Sequence, residues 1–197
     1  RVQRPHLTAS CEVAGMLAGE VGLPPSVAGL LAYLTERWDG HGPLHRAKGE
    51  EIPVAMRIVH VAEDCAFQRH LVGVEHAARL VRERAGHAFD PEVAACMADG
   101  ATEILALDEH GSAWDETLAR EPGPPLVLTG VELDRALAAM GNFADLMSPY
   151  LTAHSVGVAQ LVTAAARRCR IDAADTTLLR RAALVHDLGR VAIGAEI

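Results

Sequence analysis

Two histidines and an aspartate late in the sequence, His154 and the adjacent pair His186-Asp187, offer two imidazole nitrogens and one hard anionic oxygen. Those donor types suit a divalent ion such as Mn, Fe, Mg or Zn. An ion held there lowers the pKa of bound water and grips phosphate oxygens, which is the chemistry of phosphoester hydrolysis. Asp187 could also bridge two ions. Arg190 stays protonated and is placed to meet a phosphate without competing for metal, so Asp187 and Arg190 are the expected catalytic pair. A His-Asp dipeptide alone is weak, arising by chance about once in every few chains of this size. Its weight comes from the upstream histidine, the capped helix before it and the turn at Gly189.

Helices must position these groups. His154, Val158, Leu161, Ala165 and Cys169 recur at helical spacing, as do Leu178, Ala182 and His186, so each imidazole is expected on a buried stripe facing a common interior. Ser148-Pro149 supplies a cap and first-turn proline for the first of these helices, and Asp172 with Asp175 begins the second. Thr129 and Glu132 have capping-box spacing ahead of Leu133, Leu137, Met140, Ala144 and Met147. Earlier, Val13, Leu17 and Val21 and then Val27, Leu30, Leu31 and Leu34, after Ser26 as cap, predict two short helices joined at Gly22 to Pro25. Pro53 opens a helix with Val54, Ile58, Val61 and Cys65 on one side, and Asp90-Pro91 starts another. Ser112 can cap a short helix, while Glu121-Pro122-Gly123-Pro124-Pro125 cannot remain helical and reads as the linker.

With 197 residues the chain can bury a real core, and half of them are apolar while only 4% are aromatic, so that core is built from Ala, Leu and Val packed between helices. The fold class is all-α. A formal charge of -8 argues against direct nucleic-acid contact by this segment, and Arg167, Arg168 and Arg170 read as a solvated helix end. Cys11, Cys65, Cys96 and Cys169 lack metal-finger spacing and are expected as buried thiols in a reducing cytoplasm. No apolar run is long enough for a membrane span. Trp38 and Trp114 are expected to cover helical core, and Glu20, Glu36, Glu50, Glu51 and Glu63 to lie on charged helix surface. No phosphate-cradling glycine loop or nucleophile elbow is present.

The stretch from Ser148 to Ser155, followed by His186-Asp187-Leu188-Gly189-Arg190, resembles the opening half of an HD-superfamily metal-dependent phosphohydrolase domain, especially its HD-GYP branch, with arginine where that branch has lysine. The resemblance adds Asp145, at the place of an acidic residue that sometimes joins the metals. Residues 36–93 resemble the closing half of the same domain, through Glu36-Arg37-Trp38-Asp39-Gly40-His41-Gly42, Lys48 to Pro53, Arg57 to Glu63 and Phe89 to Glu92. There, Leu34 and Thr35 stand where the family has two histidines, and Glu63 replaces the closing aspartate ligand.

The resemblance implies a helical bundle of HD-domain type. Residues 1–120 form a degenerate closing half, 121–128 a linker and 129–197 a truncated opening half completed beyond Ile197. Alternatively the two halves pack together by swapping, which would bring Glu63 to His154, His186 and Asp187. It also resembles tandem HD proteins that carry a LuxR-type helix-turn-helix outside this chain. The expected function is a regulatory, ligand-sensing and oligomerising segment with a vestigial site, a cytoplasmic homo-oligomer binding a nucleotide or small molecule. The alternative is a metal-dependent phosphohydrolase or phosphodiesterase acting on a nucleotide, a cyclic dinucleotide among them, with His154, His186 and Asp187 holding the metal.

Overall fold

Asp90 caps its helix as its position before Pro91 requires: its carboxylate accepts from the amides of Glu92 at 2.8 Å and Val93 at 3.3 Å. Asp172 accepts from Asp175 N at 2.9 Å and Ser112 from Asp115 N at 3.3 Å, each opening a helix in the same way. The computed structural model describes residues 3–106, 112–120 and 127–192. Its helices are α1 (Gln3–Glu20), α2 (Pro25–Leu30), α3 (Val54–Val72), α4 (Val74–Glu83), α5 (Pro91–Asp99), α6 (Ala101–Ile104), α7 (Ala113–Ala119), α8 (Gly130–Asp145), α9 (His154–Arg168) and α10 (Ala173–Val185). Among the described residues there is no strand, so the fold is all-α. None of these helices is long and apolar enough to cross a membrane. The residues Glu121–Pro125, expected as the linker, lie outside the described ones.

The chain divides into two units, one of Arg1–Gly15 with Ser26–Pro125 and the other of Met16–Pro25 with Leu126–Ile197. In the first, α3, α4 and α5 close around Val61, Cys65, Ala77, Ala78, Val81, Phe89, Ala94 and Ala98. A smaller cluster gathers Ala47, Ile52 and Met56 against Leu30, Tyr33 and Leu34. In the second unit α8, α9 and α10 pack on one another, and their core is mostly small: Ala136, Ala139, Ala144, Ala159, Ala166 and Ala183 are buried with Leu184. Small side chains let helix backbones approach closely, and close packing of many atoms replaces the missing aromatic bulk.

Several expected faces are rotated. On α3, Val54 and Ile58 are exposed and Met56 is buried in their place, because the first turns of α3 serve the smaller cluster while Val61 and Cys65 serve the larger one. On α9 the interior stripe is Ser155, Ala159 and Ala166, one position from the expected stripe, leaving Leu161 73% exposed and Ala165 and Cys169 exposed. On α10 it is Ala183 and Leu184, leaving Leu178 67% exposed and Ala182 exposed. A stripe chosen for its largest apolar residues misses a seam chosen for its smallest. Cys96 and Cys169 are likewise exposed, Trp114 is 72% exposed, and Glu36 is buried, its carboxylate accepting from Arg46 N at 3.1 Å.

Three helix starts also differ. α1 is one helix of 18 residues, and α2 begins at Pro25, ahead of Ser26. Thr129 makes no side-chain cap, since Gly130 follows it at φ +52°, off the helical geometry that a capping box needs. Ser148 caps only a short 3-10 turn, Pro149–Leu151, by accepting from Tyr150 N at 3.3 Å, and α9 starts afresh at His154.

Candidate metal centre

His154 is the first residue of α9, and His186-Asp187 follows the last turn of α10, so the seam between these two helices sets how far apart the imidazoles stand. Their ring centroids are 5.4 Å apart, tilted by 51°. Asp187 lies between them: Oδ2 is 3.8 Å from His154 Nε2 and Oδ1 is 3.6 Å from His186 Nε2. One donor atom from each residue falls within 4.8 Å of the other two, and among the described residues this is the group of three metal-binding side chains that converges.

The donor set fits a divalent ion. Atoms bound to one ion at about 2.0–2.2 Å stand roughly 3–4 Å apart, so small side-chain movements suffice to close this group. His186 Nδ1 is 2.8 Å from the carbonyl oxygen of Ala183. A carbonyl only accepts, so Nδ1 carries the hydrogen and donates it, and Nε2 is the nitrogen turned toward Asp187. That is the outer-shell bond that fixes the tautomer of metal-binding histidines. Each imidazole keeps about a third of its side-chain surface exposed, and Asp187 about a quarter, so the group is open to solvent and to a ligand of some size. The rotation of the α9 and α10 faces is what leaves it open.

Arg190 behaves differently from expectation. It lies on the turn Leu188–Ala192 and donates from Nη1 to Asp187 Oδ2 at 2.8 Å, so it does contend for the oxygen nearest His154. That hydrogen bond holds the Asp187 carboxyl below the usual carboxylate range; desolvation opposes it, and the charges of His186, Arg190 and His154 add to it. The carboxylate is therefore ionised and ready for a cation throughout the neutral range.

Asp145 stands outside the group of three. It is 4% exposed, and both carboxylate oxygens are engaged by one residue: Oδ2 accepts from Ser155 N at 3.0 Å and Oδ1 from Ser155 Oγ at 2.8 Å. Glu63 belongs to the first unit. It lies exposed on α3 and lines a cleft of about 430 Å³ with His60, Asp64 and Arg84, together with Leu34 and Thr35. His60 Nε2 in that cleft donates to the Tyr33 carbonyl at 3.0 Å, and Asp64 is tied to Arg84 at 2.7 Å.

Residues 151–197 match the family model of the HD domain. The segment that carries all three donors is therefore similar to an HD domain. The match is to the HD domain as such and carries no sign of an HD-GYP branch, a tandem arrangement or a LuxR-type domain. The whole chain is also similar to 3'3'-cGAMP-specific phosphodiesterase 3 of Vibrio cholerae serotype O1, with 32% identity over 196 residues, 95% of this chain and 41% of that protein. Among solved structures it is similar to the crystal structure of a cyclic GMP-AMP-specific phosphodiesterase of V. cholerae, with TM-score 0.78 and 27% identity over 98% of this chain and 47% of that one. The chain thus spans less than half the length of both relatives. HD domains are metal-dependent, which agrees with the donors that converge here. The relatives favour the enzymatic reading and lend nothing to the regulatory one.

Ser155 and Gly141 are the residues that sequence reasoning missed. Ser155 adjoins His154 and could have been suspected as a helix-start residue; nothing local connects it to Asp145, ten residues earlier, or marks Gly141 as a packing point.

Proposed function

We propose that this chain is part of a metal-dependent phosphodiesterase acting on a nucleotide, with a cyclic dinucleotide as the favoured substrate class. The observation that carries this reading is the convergence of His154, His186 and Asp187 at one open seam, within the segment that matches the HD domain. The name of the V. cholerae relative supports the substrate class.

In this reading His154 and His186 give their Nε2 atoms, and Asp187 its carboxylate, to a divalent ion whose identity among Mn, Fe, Mg and Zn is left to measurement. When bound, such an ion activates water and neutralises charge on a phosphate. The protein's own groups do the rest. Ala183 holds the His186 ring in the tautomer that leaves Nε2 free. Arg190 can turn its guanidinium from Asp187 to a phosphate oxygen once the carboxylate has another cation to satisfy it, since a planar guanidinium binds either anion. The exposed side of the site leaves a phosphodiester room to approach.

The division into residues 1–120, a linker at 121–128 and an opening half at 129–197 belongs to the same proposal. Asp145 is a weaker assignment as a ligand, because Ser155 uses both its oxygens, and Glu63, in the first unit, stays a candidate. The test is metal analysis of the purified protein beside hydrolysis of 3'3'-cGAMP with added Mn²⁺. One or two ions per chain and turnover that disappears in His186→Ala are expected. Sub-stoichiometric metal, or hydrolysis indifferent to His186→Ala, would overturn the proposal.

A further inference from the structure

α9 begins without any cap of its own. Its first helical residue is His154, preceded by Ala153 at φ +58°, a left-handed conformation that a non-glycine residue seldom adopts, and Ala153 offers no side-chain acceptor. The free amide at the second helical position, that of Ser155, would ordinarily go to a capping side chain just upstream. It is instead donated to Asp145, the last residue of α8, and the Ser155 hydroxyl donates to the other oxygen of the same carboxylate. Ser155 is fully buried and Asp145 nearly so.

One turn before Asp145, Gly141 holds the same junction together from the other side. A methyl group on Gly141 would run into the carbonyl oxygen of Leu184 and stand 2.9 Å from Ser155 Cβ. α8 therefore touches α9 one residue after His154, and α10 two residues before His186, through a single glycine.

We infer that Asp145 and Ser155 are positioning residues, a buried clamp that sets His154 against His186 and Asp187, with Gly141 as the spacer that lets the clamp close. The clamp is a feature of the fold, and its consequence for metal binding rests on the proposed function above. Asp145 then acts on the ion through the backbone of α9 and is not one of its ligands.

Mn²⁺ titration of the whole chain by calorimetry, paired with the imidazole NMR resonances of the metal-free protein, separates these roles. Ser155→Ala and Asp145→Ala should each weaken Mn²⁺ binding about 10- to 100-fold, as loss of an outer-shell support does. The double variant should be little worse than either single one. Asp145→Asn should keep affinity within a few-fold, because an amide can accept from Ser155 N and donate to Ser155 Oγ. In metal-free protein the His154 resonance should shift in Ser155→Ala. Gly141→Ala should impair Mn²⁺ binding by moving α10.

Native affinity in Ser155→Ala with an unmoved His154 resonance would overturn the clamp. So would Asp145→Asn binding as poorly as Asp145→Ala, the mark of a direct ligand. Should the native chain take up no Mn²⁺, the proposed function fails while the His154 resonance still decides the clamp. Should Asp145→Ala not fold, Ser155→Ala, which removes one oxygen atom, decides it alone.

Discussion

The two units each bury one aspartate to 4% exposure, and the two are used in different ways. Asp90 caps α5, the helix that follows it directly, and its other oxygen receives Arg57 Nη1 at 2.7 Å. Asp145 caps α9 across a gap of ten residues and meets no cation; its partners are the amide and hydroxyl of Ser155. The first unit ties its charges off in pairs, Arg57 with Asp90, Arg84 with Asp64 and Arg37 with Asp39, and Arg57 also lies 5.7 Å over the ring of Trp38. The second leaves two imidazoles around one carboxylate, with Arg190 as the cation bound to it. Both units tie charge off in pairs, the second through Asp134 with Arg180 and Arg181, but among the described residues it is the second that also gathers three metal-binding donors around one point.

The sharpest break of that contrast is His186→Ala, which removes a donor and its Ala183 anchor together. Outer-shell losses alone cost about 10- to 100-fold, so removing a donor should lower metal affinity and hydrolysis by more than about 100-fold, while urea unfolding of the first unit is unchanged. Equal loss of stability in both units would remove the distinction.

Arg57→Ala is the converse. It strands a buried carboxylate and should lower the stability of the first unit by about 3 kcal/mol, read as a shifted urea midpoint, with Mn²⁺ binding intact. Acid titration sharpens the same point. Burial pushes the Asp90 carboxyl up, but the Arg57 hydrogen bond, the amides of Glu92 and Val93 and the Arg57 charge together outweigh it, so its pKa is lowered. A carboxyl lowered on folding contributes stability that is fully present above its unfolded pKa, near 3.9, and is lost as pH falls through its folded value. The acid limb of the stability curve should flatten in Arg57→Ala; an identical limb would show that the pair contributes nothing.

Arg190→Ala frees Asp187 Oδ2, and because exposed ion pairs are weak, Mn²⁺ affinity should rise by less than about tenfold while turnover falls. Turnover rising along with affinity would mean that Arg190 only obstructs. Trp114→Ala, at an exposed ring on α7, should change the unfolding free energy by less than about 0.5 kcal/mol. A larger loss would reveal that the ring is covered in solution.

Much of this was legible because it is local. The spacing of Asp90-Pro91, Asp172 with Asp175 and Ser112 with Asp115 announces helix starts, since a cap bonds within three residues of itself. The Thr129 cap failed for an equally local reason, the positive φ of Gly130. The donor types of His154, His186 and Asp187 were legible from chemistry alone. Their exposure was not: periodicity in α9 and α10 fixes a face only up to rotation, and the seam runs through alanines, with Leu161 and Leu178 left outside.

Residue order alone determined that this chain is helical, where many of its helices begin and which donor types it carries, with His154, His186, Asp187, Asp145 and Glu63 all standing as candidate ligands, because backbone sterics, capping and ligand chemistry act at or near a single residue. Tertiary structure decided that Arg190 rests on Asp187, that Asp145 caps a distant helix, and that Gly141 packs directly against Leu184 and Ser155. Those outcomes depend on how three helices approach one another in space, and the distance between helix axes is a property of packing that no single segment carries.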